Sequence, residues 1–173
     1  MADRPVGTVY LLKRAELAVR GCAELALAEV ALTPSQYFIL FLVKTGEASS
    51  SAELARAMGM LPQSMTELIG PLEQRGSIVR RPDPTNARIL RIELTADGER
   101  LFARGTEIAM RLERELLGDF DERELARLNR AFTKLTEKAE AHSYHPKLRR
   151  LARARPGAAA RKEPAKRRAA RPR

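Results

Sequence analysis

The chain has a single cysteine, Cys22, no tryptophan, and 5% aromatic residues. One thiol cannot close a disulfide within the chain or build a cysteine metal cage. Histidine is nearly as scarce. His142 and His145 are the two in the chain, and their i, i+3 spacing at a helix end makes a poor metal site. No apolar run approaches about eighteen residues, so no segment reads as a membrane span. Lys13, Arg14 and Glu16 interrupt the apolar residues where a signal peptide would need an unbroken core. The sequence therefore reads as a soluble, cytoplasmic protein. It also has no phosphate loop, dinucleotide fingerprint or nucleophile elbow, and capping explains the serines of "GEASSSAE". Neither catalysis nor a cofactor is expected.

What the chain does have is positive charge, unevenly placed. Its 173 residues carry a net +10. Pro146 to Arg173 holds twelve Lys or Arg and one acid, Glu163, a net +11, so residues 1–145 carry −1. That body is long enough for a real core. The tail is Ala, Pro, Arg and Lys with few apolar anchors, a composition that predicts disorder and sequence-independent affinity for phosphate.

Periodicity predicts mostly helices. From about Gly7 to Val30, Val9, Leu11, Leu12, Ala15, Ala18, Val19, Cys22, Leu25 and Leu27 crowd most faces, as in a helix buried on more than one side. "LTPSQYFILFLVKTGE" starts a second helix at Thr33 and Pro34 and ends it at Gly46. Ser50 and Glu53 have capping-box spacing for a short third helix, closed by Gly59. In "LPQSMTELIGPLEQRG", Met65, Leu68, Ile69 and Leu72 form one stripe. Gln63, Thr66, Glu67, Gly70 and Gln74 lie opposite, and Pro71, toward the outer face, should bend the helix. "SIVRR" and "RILRIEL" alternate around the turn-rich "PDPTNA" and predict a β-hairpin. Thr95 should cap a helix to about Leu117. Asp121 and Glu124 should cap a last one carrying Leu125, Leu128, Phe132 and Leu135.

The predicted fold is mainly α with a small β-wing: a helix-turn-helix followed by a hairpin, flanked by long helices. "LTPSQYFIL", "SSAELARAMGM", "LEQRGSIVRRPDPTNAR" and "LTADGERLF" stand in this order between Leu32 and Phe102. This ordered set resembles the multiple-antibiotic-resistance regulator (MarR) family of winged helix-turn-helix repressors. The resemblance implies a homodimer whose outer helices interlock. Residues 1–31 and 96–145 would form the dimerisation helices, 32–95 the winged lobe, and 146–173 the tail. A two-fold dimer would present its recognition helices about 34 Å apart to an inverted repeat in double-stranded DNA.

A recognition helix need not be basic, because phosphate contacts supply affinity and base contacts specificity. Gln63, Ser64, Thr66 and Glu67 can read base edges; Gln suits adenine and Glu can accept from cytosine. Positive charge would come from Arg56, Arg75, Arg80, Arg81 and Arg88. The resemblance makes Arg88 the wing-tip residue for the minor groove. Many relatives carry basic residues where this chain has Glu67 and Pro71, and Asp where it has Asn86.

The resemblance also implies a small aromatic or phenolic effector, for which Tyr10, Arg14, Tyr37 and Phe41 are the candidate residues. For Tyr37 and Phe41, each taken alone, ordinary core packing is the better reading. Cys22 lies too late in the first helix to match the reactive cysteine of hydroperoxide-sensing relatives, and a buried, inert thiol is expected. The leading expectation is a ligand-released, nucleoid-associated repressor. The rival readings are an architectural DNA binder dominated by its tail, and a winged helix used for protein contacts.

Overall fold

The computed structural model describes residues 7–143. His145 and the basic tail from Pro146 lie outside the described residues. In chain order the elements are α1 (Thr8–Leu27), a 3-10 turn (Ala28–Val30), α2 (Pro34–Thr45), α3 (Ser51–Ala57), α4 (Pro62–Gln74), β1 (Ile78–Pro82), β2 (Leu90–Leu94), α5 (Ala96–Leu117) and α6 (Glu122–Ser143). The order matches the sequence expectation, and β1 and β2 make one antiparallel pair. α1 through α5 form one compact unit, and α6 belongs to a second.

The caps form where the sequence places them. Thr33 accepts the Gln36 amide at 3.2 Å, and Gln36 answers by accepting the Thr33 amide at 3.1 Å. Thr95 Oγ1 accepts from Gly98 N at 3.1 Å and donates to Gly76 O at 2.6 Å, tying the start of α5 to the loop that enters the wing. Asp121 Oδ1 accepts Arg123 N and Glu124 N at 2.7 and 2.8 Å, starting α6. Each cap contributes about 1 kcal/mol.

Burial contributes more. Ile39, Leu40, Leu54, Met65, Ile69, Leu72 and Ile92 are fully buried, each worth about 1.5–3 kcal/mol. They come from α2, α3, α4 and β2, so the core sits directly beneath the predicted DNA-reading face. The stripe on α4 is buried as expected, with Leu68 half-buried. Pro71 lies on the exposed face, and α4 continues through it to Gln74.

Two expectations need correction. The sequence predicts α1 to be buried on more than one side, yet Leu27 is its one buried residue. Val9 is 77% and Leu25 80% exposed. α1 packs against α2 and α5, which leaves much of its apolar surface bare. Cys22, expected to be buried, is exposed. It stands at the rim of a hollow of about 430 Å³ shared with Arg111 and Leu112 of α5. Among the described residues no single helix is long and apolar enough to cross a membrane.

Candidate nucleic-acid interface

The interface is built from α3, the turn after it, α4 and the wing. α3 starts at a capping box. Glu53 Oε2 accepts the amides of Ser49 and Ser50 at 2.9 and 3.0 Å, and Ser50 Oγ accepts the Glu53 amide at 3.3 Å. These bonds, led by the one from the Ser49 amide, hold the Glu53 carboxyl below its ordinary range. Gly59 then turns the chain with φ +62°, a region open to glycine at little cost. Met60 N closes the turn on Ala55 O at 2.8 Å.

α4 follows with Pro62 in its first turn. Leu61 offers no side-chain cap, so the first amides of α4 remain open to water or an anion. Gln63, Thr66 and Glu67 are exposed on one side of the helix, and Ser64 is half-buried. The Thr66 hydroxyl donates back to Pro62 O at 3.1 Å. Glu67 has no hydrogen bond or ion pair among the described residues.

The five arginines expected at the interface divide into two groups. Three are engaged within the chain. Arg75 Nη1 donates to Ala31 O at 2.9 Å, tying the end of α4 to the left-handed residue that follows the 3-10 turn. Arg80 Nε lies 3.1 Å from Glu73 Oε2, and Arg81 Nε the same distance from Glu93 Oε2. The Arg80–Glu73 pair lacks hydrogen-bond alignment, since Arg80 Nε is buried without a bonded partner. Arg56 and Arg88 are exposed, and among the described residues neither side chain is paired.

The wing has a polar anchor that sequence reasoning missed. β1 and β2 pair in the register Ile78↔Leu94 through Pro82↔Leu90. At the loop entrance the buried Asp83 accepts Thr85 N at 2.7 Å, Thr85 Oγ1 at 2.5 Å and Asn86 N at 2.9 Å on one oxygen. Its other oxygen accepts Arg91 Nε. Arg91 also donates to Ser49 Oγ at 2.7 Å, and Ile92 N to Ser49 O at 2.6 Å. The wing is thereby stitched to the residues that cap α3. The signal for half of this was present, since Asp followed two residues later by Thr suits an Asx turn. Asn86 Oδ1 accepts the backbone amide of Arg88 at 3.2 Å, so it shapes the loop beneath that arginine.

The four candidate effector residues fall into two pairs. Tyr10 and Arg14 share α1, with the guanidinium 5.8 Å from the ring centre. Tyr37 stacks on Phe102 at 5.9 Å and donates its hydroxyl to Thr106 Oγ1 at 3.3 Å. Phe41 lies 6.5 Å from the same Phe102 ring. This second pair packs α2 on α5. A hollow of about 700 Å³ opens instead between α1, α2 and the end of α3. It is lined by Val19, Arg20, Pro34, Phe38 and Met58 among others, and by none of the four.

Comparison with known proteins agrees with this architecture. Residues 32–90 match the model of the MarR family. The chain is 34% identical over 140 residues to an HTH-type transcriptional repressor of Mycobacterium tuberculosis, covering 79% of this chain and 94% of that one. The transcriptional repressor CouR, solved on a 23-mer DNA duplex, is 27% identical with a TM-score of 0.65, covering 77% of this chain and 92% of CouR. CouR from Rhodococcus jostii RHA1, solved with p-coumaroyl-CoA, aligns at 24% identity and a TM-score of 0.66 over 73% of this chain and 89% of that one. With a third of its residues shared along nearly the whole of a curated repressor, and with its helix-turn-helix and wing in place, the chain belongs to the MarR family of DNA-binding, non-enzymatic transcription regulators.

Proposed function

We propose that this regulator acts as a homodimeric, sequence-specific repressor of an inverted-repeat operator, and that a small aromatic or phenolic ligand releases it. The observation that carries the DNA-reading part is the outer face of α4. Gln63, Thr66 and Glu67 are exposed there, and the helix start beside them has no side-chain cap. Base edges and a phosphate would satisfy these groups together. Arg88 on the wing would add a minor-groove contact and Arg56 a phosphate contact. Arg75, Arg80 and Arg81, bound within the chain, would act chiefly by holding the lobe in shape.

The dimer reading rests on α1. Its exposed Val9, Leu11, Leu17 and Leu25 form more bare apolar surface than one helix ordinarily leaves in water. A second copy would cover it, with residues 1–31 and 96–145 as the dimerisation helices and 32–95 as the DNA-binding lobe. For the ligand, CouR with p-coumaroyl-CoA supports an aromatic group. The hollow between the proposed dimerisation helix and the winged lobe offers apolar walls from Val19, Pro34, Phe38 and Met58. Its polar side carries Glu16, Glu24 and Arg20, the last paired with Glu16, which suits an uncharged phenolic ring better than a free acid. The Tyr10–Arg14 pair would stand at the outer end of α1, and Tyr37 and Phe41 would transmit a shift between α2 and α5.

The test is a footprint of the full chain on the DNA upstream of its own gene, at near-physiological salt, with shuffled DNA as control. A two-fold protected site of roughly 20 base pairs, absent from the control and lost on adding a phenol or the thioester of an aromatic acid, is expected. Equal protection of both DNAs would favour an architectural role driven by the basic tail.

A further inference from the structure

We propose that Glu67 is a specificity-determining residue that makes the operator carry cytosine at one fixed position in each half-site. The inference rests on the DNA-reading role of α4 proposed above and adds the base it reads.

α4 contains two charged side chains, Glu67 and Glu73, and both are acids. Glu73 is paired with Arg80 at 3.1 Å. Thr66 is bonded to Pro62 O, and Arg75, just past the helix, to Ala31 O. Glu67 alone among these has no partner among the described residues, and it is exposed. It stands one turn after Gln63, on the same face, in the half of the helix that meets base edges in helix-turn-helix proteins.

A carboxylate placed there meets a surface dense in negative charge. The phosphates repel it, and α4 supplies no cation to compensate. Docking therefore strips water from an acceptor that a base-edge donor can satisfy. The major groove presents two such donors, the N4 amino group of cytosine and the N6 amino group of adenine. Adenine sets its N7 acceptor beside N6, which repels the second carboxylate oxygen. Cytosine has C5–H in that place and no such repulsion. Guanine shows acceptors at O6 and N7, and thymine shows O4 and a methyl group. Glu67 thus favours cytosine and acts against guanine and thymine. The same charge weakens binding to DNA that lacks the site, so it raises discrimination in both directions.

The test selects sites from a pool of randomised duplexes with the full chain, Glu67→Gln and Glu67→Ala, at about 0.15 M salt with competitor DNA. Affinities are then measured on the selected site and its single-base variants. Because Glu67 is exposed and unpaired, both variants should fold. The wild-type chain is expected to fix cytosine at one position per half-site, and guanine or thymine there should weaken it about 10-fold or more. Glu67→Gln should move the preference at that position to adenine, the partner of a bidentate glutamine. Glu67→Ala should erase the preference there and keep it elsewhere. A wild-type chain that selects a sequence, with the same base preferences in both variants, overturns the role of Glu67 alone. A wild-type chain that enriches no sequence overturns the operator reading and this inference with it.

Discussion

The Asp83 carboxylate, buried at the entrance of the wing loop, accepts Arg91 on one oxygen and Thr85 and Asn86 on the other. Arg91 in turn reaches Ser49 at the cap of α3. One buried anion thus links the wing loop to the helix-turn-helix, beside the backbone bond from Ile92 N to Ser49 O. The Thr85 hydroxyl first, then Arg91, hold this carboxyl well below its usual range, against the cost of burial. A depressed folded-state pKa stabilises fully above the unfolded value, near 3.8, and the gain fades as pH falls through the lower folded value. In urea unfolding, the gap between the wild-type chain and Asp83→Asn should stay constant from neutral pH to about 5 and close well below 4. Exchange of the Thr85 and Asn86 amides should be faster in the variant by on the order of 10-fold, as for one lost hydrogen bond. A gap that widens toward acid would refute the role given to Asp83.

Gly98 lies where α5 meets the loop into β1. A Cβ added there would sit 1.9 Å from Ser77 O, a contact with backbone that no rotamer can relieve. Gly98→Ala should lower stability by about 1–3 kcal/mol or more. Gly70, inside α4, has open space around it, with nothing within 4 Å of where a Cβ would stand. Gly70→Ala should instead stabilise the DNA-free protein by about 0.5–1 kcal/mol, through helix propensity. Opposite signs in one denaturant assay are the expected result; equal signs would contradict the packing at Ser77.

The parts of this fold that were legible in the sequence are those set by neighbours within one turn. The caps at Thr33 and Thr95, the boxes at Ser50 and Asp121 and the stripe from Met65 to Leu72 need only local spacing. The contacts that eluded the sequence join residues far apart along the chain. Arg75 looked like positive charge at the DNA interface because its bond to Ala31 spans 44 residues. Asp83 and Arg91 meet only once the hairpin register is known. Apolar residues all round α1 state that it wants covering, but not that its own chain leaves Leu25 bare. The candidate effector residues suffered likewise: spacing along one helix cannot tell that Tyr37 turns toward Phe102 on α5.

Leu25 provides the test of that bare face. At 80% exposure, its replacement should leave the fold of one chain intact. If two copies bury it, each contributes about 1.5–3 kcal/mol. Leu25→Glu should then raise the dimer dissociation constant by about 100-fold or more. Light scattering across a dilution series reads this directly, with far-UV circular dichroism as the folding control. A variant that stays dimeric at wild-type dilution would place the dimer contact elsewhere.

Arg75 and Arg88 should separate when each is replaced by alanine, although the sequence offers both as positive charge at the DNA interface. Arg88 is exposed on the wing with its side chain unpaired among the described residues. Its loss should weaken operator binding about 5- to 10-fold and reduce the slope of log affinity against log salt by about 1, as one released counterion requires. Arg75 is held on Ala31 O. Its loss should cost about 1 kcal/mol of folding stability and leave the salt slope unchanged. Fluorescence anisotropy across a salt series, with urea unfolding on the same samples, distinguishes the two. An unchanged slope for Arg88→Ala would remove the wing arginine from the interface, and a reduced slope for Arg75→Ala would mean that its guanidinium leaves Ala31 for a phosphate when DNA binds.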